Sequence, residues 1–235
     1  MENRKNQINI GIAIVVAGVI IAGAILLRGK TPTNPSPTPT NQGSPNANTP
    51  SATIKPVSAS DYTQGNPNAD VVMIEYADYQ CPFCGRFFKQ TIEPIEQNYV
   101  NTGKIEFVYR DFAFLGAESQ EASEAAACAN DQGKYWQYHD YLFNHQNGEN
   151  EGAFASANLE TFAKTLGLNT SEFNSCLESG KYAQAVQNST TEGSSIGVTG
   201  TPHSFILKDG KVVNEVDGAY PYSQVSQELD AALKQ

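Results

Sequence analysis

Two cysteines three positions apart, Cys81 and Cys84, are the residues whose type and spacing most clearly predict chemistry in this chain. They follow an apolar run typical of a β-strand, 71–76, and they begin a run typical of a helix. The N-terminus of a helix presents unpaired backbone N–H groups and the positive end of the helix dipole, so a thiolate at Cys81 is stabilised there. Pro82 suits the first helical position, which needs no N–H. The motif therefore predicts a redox-active dithiol.

Zinc binding and a purely structural disulfide are the competing interpretations of this motif. A zinc site needs two more ligands, and such pairs usually come as two clustered pairs. The other two cysteines, Cys128 and Cys176, are single and far apart in the sequence. A structural bridge across two intervening residues would restrict little chain entropy. We therefore expect thiol–disulfide exchange, with no metal site and no cofactor beyond the Cys81–Cys84 disulfide.

The first thirty residues predict a membrane anchor. Residues 8–27 form an uncharged run that is apolar except for Asn9, with basic residues on both sides. About twenty mostly apolar helical residues span the hydrocarbon core of a bilayer. A cleaved signal peptide is the alternative, but the run exceeds a typical signal sequence and the cleavage-like stretch 22–24 lies inside it. We expect 1–30 to be an uncleaved, single-pass anchor.

Residues 31–60 are dominated by proline, threonine, asparagine and serine, which predicts an extended tether without a core of its own. The basic residues around the anchor do not decide its orientation. An even number of cysteines, four, suits an oxidising compartment, so we expect the rest of the chain to lie outside the cytoplasm at the cell membrane. The formal net charge of −10 argues against nucleic acid as a partner.

Residues 61–235 predict one domain with an α/β fold. Patterns typical of a strand, a helix and a strand come first, at 71–77, 82–99 and 104–110; a strand, an Asp-Gly turn, a strand and a helix come last, at 204–208, 209–210, 211–216 and 222–234. The stretch between them, about 116–195, has helical composition throughout. This order predicts a central sheet with an all-α insertion. Pro94 is expected to kink or break the first helix.

The residues around the cysteines resemble a known family. The run 75–84, Glu-Tyr-Ala-Asp-Tyr-Gln-Cys-Pro-Phe-Cys, and the later Gly-Thr-Pro at 200–202 are similar to the DsbA-type thiol oxidoreductases of the thioredoxin superfamily. The stretch 126–140 resembles the helical insertion of that branch. The resemblance covers about residues 57–235 and implies a thioredoxin-like sheet and a protein-disulfide oxidoreductase activity.

The resemblance also implies site residues. Cys81 would be the nucleophile, and Cys84 would resolve the mixed disulfide formed at Cys81. Pro202 would be a cis-proline that faces the cysteines, and the backbone of Thr201 would pair with an extended client segment. Glu75 would be a buried acid that exchanges a proton with Cys84; a carboxylate that faces solvent at the strand end is the alternative.

Three further residues lie near the predicted site. Phe83 stands where strongly oxidising members of the family have histidine, and it offers neither charge nor a hydrogen-bond donor. We therefore expect Cys81 to be less acidic than in those members. His203 either compensates by approaching the sulfurs or simply begins a strand. Asp78 is a loop residue next to the dithiol.

Cys128 and Cys176 both fall in the predicted insertion. In an exported domain we expect a structural disulfide between two helices, which stabilises by about 4 kcal/mol on the chain-entropy model. A second redox pair is the alternative, but neither cysteine lies in a Cys-x-x-Cys setting.

Together these features predict an enzyme that donates its disulfide to exported client proteins with free cysteines. The resemblance implies a membrane partner that reoxidises it, similar to DsbB or to vitamin K epoxide reductase. A reductase or isomerase on the same fold is one alternative. A non-enzymatic protein that binds clients or metal through its thiols is another. Glutathione-dependent transferase chemistry is disfavoured by the intact dithiol and the anchor.

Overall fold

The computed structural model of the chain describes residues 53–235. The predicted anchor, 1–30, and most of the predicted tether, 31–60, lie outside the described residues. Within 53–235, no helix combines the length and the apolar character that crossing a bilayer requires.

A five-stranded mixed sheet forms the centre of the described part. Its strands are β1 (Tyr62–Gly65), β2 (Val71–Ala77), β3 (Glu106–Asp111), β4 (His203–Lys208) and β5 (Lys211–Asp217). They lie in the order β1-β3-β2-β4-β5, with β2 and β3 parallel and all other neighbours antiparallel. The central strand β2 reads as a nearly continuous apolar run because both of its faces are covered.

The helical stretch after β2 runs from residue 82 to residue 100 and does not break at Pro94. It consists of α1 (Pro82–Phe87), a π-helical segment (Phe88–Ile92), α2 (Glu93–Ile95) and a second π-helical segment (Glu96–Val100). Proline lacks an N–H and crowds the carbonyl group four residues earlier. The wider π-helical turns on both sides of Pro94 accommodate it, so the predicted break is wrong, and the alternative of a kink stays a prediction.

Five helices form the insertion between β3 and β4, and a sixth follows β5. The insertion contains α3 (Ala117–Asn130), α4 (Tyr135–Asn144), α5 (Ser156–Thr165), α6 (Thr170–Glu178) and α7 (Ala183–Ser195), and the last helix is α8 (Tyr222–Leu233). The predicted α/β fold with an all-α insertion is confirmed, and the observed insertion begins and ends within a residue of the predicted 116–195.

A disulfide joins two helices of this insertion. The sulfurs of Cys128 in α3 and Cys176 in α6 are 2.02 Å apart, and their Cα atoms are 5.9 Å apart. Both cysteines are buried. The structure therefore contains the bridge that the sequence led us to expect, and it leaves Cys81 and Cys84 as the free thiols of the described residues.

Two apolar layers cover the two faces of the sheet. Met73 and Phe107 point into the larger layer, where α1, α3, α4 and α8 pack and where both free cysteines lie. Ile74 and Val108 point into the smaller layer on the other face. The alternation follows from the period of two in a β-strand, and it decides on which side of the sheet each strand residue can act.

The chain packs against the domain from Ile54 onwards, within the predicted tether. The side chain of Ile54 is 8% exposed and belongs to the smaller apolar layer. The carbonyl oxygen of Lys55 accepts a hydrogen bond from Arg110 Nη2 at 3.0 Å, and Asp61 forms a salt bridge with Arg110 Nε at 2.7 Å. Ile54 supplies a large apolar side chain that the preceding tether lacks. The domain therefore begins near residue 54 rather than at 61.

Candidate active site

The two free cysteines lie where the loop after β2 enters α1. Cys81 is the N-cap residue of α1, and Cys84 lies in its first turn. The backbone N–H of Cys81 donates to the carbonyl oxygen of Asp78 at 3.1 Å, and the carbonyl oxygen of Cys81 accepts from the N–H of Gly85 at 3.0 Å. Cys81 retains a small exposed fraction of 5%, whereas Cys84 is fully buried. A thiol of another molecule can therefore approach Cys81 and not Cys84.

The loop before β4 completes the site opposite the cysteines. The peptide bond between Thr201 and Pro202 is cis. The thiol of Cys81 donates to the carbonyl oxygen of Thr201 at 3.3 Å. The structure thus brings together four of the residues that the sequence analysis named.

The two thiols differ strongly in acidity. The pKa of Cys81 is lowered to about 6 because its sulfur accepts a hydrogen bond from the Cys84 thiol; burial opposes this effect, and the backbone N–H groups of Cys84 and Phe83 add to it. Burial raises the pKa of Cys84 well above its ordinary value, because a thiolate there would lose its hydration. At neutral pH the arrangement therefore gives a thiolate at Cys81 beside a protonated Cys84.

Phe83 acts on this thiolate through its backbone rather than through its side chain. Its ring is 55% exposed, and the guanidinium of Arg86 lies 5.0 Å from the ring centroid. Neither group supplies a donor to Cys81 Sγ. The pKa of about 6 at Cys81 is nevertheless well below that of a free thiol, because the hydrogen bond from Cys84 does not depend on residue 83.

Glu75 is buried beneath the dithiol and does not face solvent. It is 3% exposed in the centre of β2, between Tyr109 of β3 and Ser204 of β4. Burial, together with the negative charges of Glu96 and Cys81, raises its pKa to about 8. The alternative of a solvent-facing carboxylate is wrong. Glu75 holds a proton at neutral pH within electrostatic reach of the nucleophile.

Asp78 fastens the loop between β2 and α1 to the start of the insertion. Its Oδ2 accepts the backbone N–H groups of Phe114 at 3.0 Å and Leu115 at 3.2 Å. Its Oδ1 accepts the N–H of Gln80 at 2.8 Å and the hydroxyl of Ser119 at 2.6 Å. Because all of these donors point at a fully buried carboxylate, the loop is held in one conformation. The sequence named Asp78 but gave no indication of this role.

Gln80, which the sequence analysis did not single out, extends the same network. Its side chain is buried, and its Nε2 donates to Ser119 Oγ at 2.8 Å. Its Oε1 accepts the backbone N–H of Asn150 at 2.5 Å. Its position directly before Cys81 was the available signal, but a polar residue there is equally typical of an exposed loop.

Gln146 is the second residue that the sequence analysis missed. It follows α4 in the chain, and its Nε2 donates to the carbonyl oxygens of Tyr79 at 2.5 Å and Cys81 at 3.1 Å. The insertion therefore contacts the backbone of the nucleophile itself. No sequence signal marked Gln146, because it lies far along the chain in a polar segment.

His203 begins β4 and lies on the side of the sheet away from the cysteines. Its ring packs against Phe205, with 4.7 Å between ring centroids, and its Nδ1 lies 3.3 Å from the carboxylate of Asp217. Phe205 belongs to the smaller apolar layer, whereas both cysteines belong to the larger one. Of the two interpretations of His203, the structure supports the residue that simply begins a strand.

The described residues hold no recognisable metal site. In the range 53–235, no three or more His, Cys, Asp or Glu side chains are arranged to bind a metal ion. Two large apolar side chains near the dithiol are instead open to solvent, Phe83 and Phe114, which are 55% and 47% exposed. Both adjoin the site through the chain: Phe83 lies between the cysteines, and the N–H of Phe114 bonds to Asp78.

The fold and the dithiol define a thioredoxin-like oxidoreductase with a helical insertion. The chain belongs to the thioredoxin family, whose sequence profile matches residues 58–231. The crystal structure of alpha-DsbA1 from Wolbachia pipientis has a TM-score of 0.69 to this chain at 24% identity and covers 76% of this chain and 93% of that one. The predicted thioredoxin-like fold is thereby confirmed.

Of two relatives with curated names, one is named as a protein-disulfide oxidoreductase and the other as an antiporter. A putative protein-disulfide oxidoreductase from Rickettsia felis is 27% identical over 191 residues, which are 77% of this chain and 66% of that protein. Na(+)/H(+) antiporter NhaA 1 from Salinispora arenicola is 30% identical over 148 residues, 62% of this chain but 21% of that protein. The chain thus spans less than two thirds of these relatives. At the level of the family, the names of the putative protein-disulfide oxidoreductases among the relatives support the predicted class of enzyme, a DsbA-like protein-disulfide oxidoreductase.

Proposed function

We propose that this chain donates the Cys81–Cys84 disulfide to the thiols of exported proteins. The observation that carries the proposal is the placement of the two thiols at the start of α1: Cys81 is the N-cap residue and retains a small exposed fraction, whereas Cys84 is fully buried. This placement lowers the pKa of Cys81 and raises that of Cys84. A stabilised thiolate at the N-terminal cysteine favours the dithiol form, and a protein whose dithiol form is stabilised is an oxidant. The exposed fraction of Cys81 makes it the sulfur that a client can reach.

The donation proceeds in two exchanges. A client thiolate attacks Cys81 Sγ, the bond between Cys81 and Cys84 breaks, and Cys84 leaves with the electron pair. Because the buried Cys84 holds a proton more strongly than an ordinary thiol, it takes one up. Protonated Glu75, which is close enough to Cys81 for the charges to interact, would be the acid that supplies this proton. A second client thiolate then attacks the client sulfur of the mixed disulfide, and Cys81 leaves as a thiolate.

The balance of these steps is one protein disulfide and two client thiols converted into one protein dithiol and one client disulfide. If the second client thiol is absent, Cys84 attacks Cys81 and releases the client unchanged, which is the resolving role expected of Cys84. The backbone of Thr201, in contact with Cys81, is placed to pair with an extended client segment. The exposed rings of Phe83 and Phe114 offer apolar contacts beside it.

Location and partners belong to the same proposal. The apolar run 8–27 would anchor the chain in the cell membrane, with residues 53–235 outside the cytoplasm. The Cys128–Cys176 disulfide supports an oxidising compartment. A membrane protein similar to DsbB or to vitamin K epoxide reductase would reoxidise the dithiol. No nucleic acid takes part.

A reductase on the same fold is the second candidate. The pKa of about 6 at Cys81 lies between the values typical of a strong oxidant, about 3.5, and of thioredoxin, about 7. The reduction potential separates the two functions. We expect the purified full chain, equilibrated in glutathione buffers, to have a potential near or above about −180 mV. A potential near about −270 mV would assign it to the reductases instead.

Two cysteine variants and the purified wild-type chain test the non-enzymatic alternative. We expect the Cys84→Ser variant to accumulate a mixed disulfide between Cys81 and a client peptide, and the Cys81→Ser variant to form none. A chain that holds metal after purification and does not exchange with glutathione would be a thiol-based binder, and the oxidoreductase proposal would be abandoned.

A further inference from the structure

We propose that Gln146 is a positioning residue for the Cys81 nucleophile and that Gly85 provides the space its side chain occupies. The inference deepens the proposed function, because it assigns a role in setting the reactivity of the same thiol. It goes beyond the cysteines, the cis-proline loop and the buried acid, since Gln146 belongs to the insertion and contacts the site through its side chain alone.

The first observation is a pair of hydrogen bonds from one amide group. Gln146 Nε2 donates to the carbonyl oxygen of Tyr79 at 2.5 Å and to that of Cys81 at 3.1 Å. The Cys81 carbonyl also accepts the N–H of Gly85, the bond that begins α1. One side chain therefore fixes two peptide groups of the turn that carries the nucleophile into the helix.

The second observation is the absence of a side chain at Gly85. A Cβ atom at this position would lie 1.9 Å from Gln146 Oε1 and 2.7 Å from Gln146 Cδ. Gly85 lies in the interior of α1 with ordinary helical backbone, where alanine is preferred over glycine by about 1 kcal/mol. The backbone does not require glycine there. The space for Gln146 is what the missing Cβ provides.

These contacts bear on reactivity through the position of the sulfur. The stabilisation of a thiolate by a helix N-terminus and by nearby donors depends on a fixed, close geometry. Cys81 Sγ also lies against Thr201, whose carbonyl oxygen disfavours a thiolate when it approaches more closely. The hydrogen bonds from Gln146 to the backbone at Tyr79 and Cys81 therefore hold the Cys81 sulfur near the groups that stabilise its charge.

A matched control exists within the insertion. Gln132 also bridges two backbone atoms with its amide: its Nε2 donates to the carbonyl oxygen of Asn169 at 3.2 Å, and its Oε1 accepts the N–H of Asn169 at 2.8 Å. It makes no contact with the dithiol loop. Replacing Gln132 removes hydrogen bonds of the same type from the same insertion. It therefore shows how much the loss of a purely structural glutamine changes the pKa and the reactivity of Cys81.

The experiment uses the full chain, reduced, and follows the ultraviolet absorbance of the thiolate with pH. We expect Gln146→Ala to raise the pKa of Cys81 by about 0.5 to 1 pH unit, the equivalent of one ordinary hydrogen bond. At acidic pH, the reduced Gln146→Ala chain should react with glutathione disulfide more slowly than the wild-type chain does, because less of its Cys81 is present as thiolate. Gln132→Ala should leave both the pKa and this rate at their wild-type values.

The Gly85→Ala variant tests independently whether Gln146 needs the space at Gly85. Its Cβ displaces Gln146, so it should reproduce the shift of Gln146→Ala while the helix gains a better former. Adding Gly85→Ala to the Gln146→Ala chain should give no further shift in the pKa of Cys81. An unchanged pKa in Gln146→Ala, or an equal shift in Gln132→Ala, would overturn the inference.

This test is separable from that of the proposed function. If the wild-type dithiol did not exchange with glutathione, the oxidoreductase function would fail, but the pH titration of Cys81 would still be measurable. A shift in Gln146→Ala would then support positioning of a reactive thiol without exchange. A wild-type chain that exchanges, with no shift in Gln146→Ala, overturns the positioning role alone.

Discussion

The Sγ atom of Cys81 lies 3.3 Å from the carbonyl oxygen of Thr201, although 120 positions separate the two residues. A carbonyl oxygen accepts from a thiol but repels a thiolate, so this contact cannot itself acidify Cys81. The acidity has to come from the hydrogen-bond donors to the sulfur, and among these the Cys84 thiol has the largest effect on the pKa. The site therefore combines a carbonyl oxygen that accepts a hydrogen bond from the Cys81 thiol with a sulfur whose negative charge is stabilised from the helix.

The donor at position 84 controls the acidity of Cys81. We expect Cys84→Ala to raise the pKa of Cys81 above about 6, because the first cause of its lowering is removed. Cys84→Ser retains a hydroxyl donor and should raise the pKa less. A pH titration of the thiolate absorbance in both variants measures the difference. Equal values in the two variants would show that the helix N-terminus, rather than the side chain at position 84, sets the acidity.

Glu75 makes stability depend on pH. Its folded-state pKa of about 8 lies above the ordinary value of 4.5, so the unfolded chain releases this proton at a lower pH than the folded chain does. The destabilisation caused by burying Glu75 is absent below about pH 4.5 and grows as the pH rises towards 8. Glu75→Gln should therefore be more stable than wild type at pH 8, by a few kcal/mol, and similar to it at pH 4.

Denaturant unfolding of the reduced protein at the two pH values measures this effect. The same variant should exchange more slowly at neutral pH, because glutamine cannot pass a proton to Cys84. A stability difference that did not change between pH 4 and pH 8 would mean that Glu75 titrates normally.

The Cys128–Cys176 disulfide should stabilise the domain without changing the dithiol. On the chain-entropy model, a bridge across a sequence separation of 48 contributes about 4 kcal/mol. Replacing both cysteines with alanine should lower the free energy of unfolding by roughly that amount and leave the reduction potential of Cys81–Cys84 unchanged. A shifted potential would point instead to electron transfer between the two pairs.

The segment before β1 should contribute to stability. We expect Ile54→Ala to lower the free energy of unfolding by about 2 kcal/mol, since the side chain is buried in the smaller apolar layer. Val57→Ala, at a half-buried neighbour of the same layer, should cost less. Thermal or denaturant unfolding of the full chain compares them. Wild-type stability in Ile54→Ala would restore residue 61 as the start of the domain.

Several features could be predicted from the sequence because their signals are local. The period-two pattern of β2, the Asp-Gly turn and the proline at the start of α1 lie within a few residues of what they specify. They were enough to place the dithiol at a helix N-terminus, and the helical composition of 116–195 indicated the bounds of the insertion. The resemblance then supplied expectations for Glu75 and Thr201, and the structure has Glu75 buried and Thr201 at the dithiol.

What the tertiary structure decided depends on contacts between distant segments. Gln146 reaches the Cys81 carbonyl only because the insertion folds back over α1, and Gly85 leaves room for it. Ile54 belongs to the domain only because the smaller layer has a place for it. Polar and apolar side chains carry no local mark of the partner they will meet, since hydrogen bonding and burial are satisfied by whichever group the fold brings near. The sequence determined which residues could do the chemistry, and packing decided which residues hold them in place.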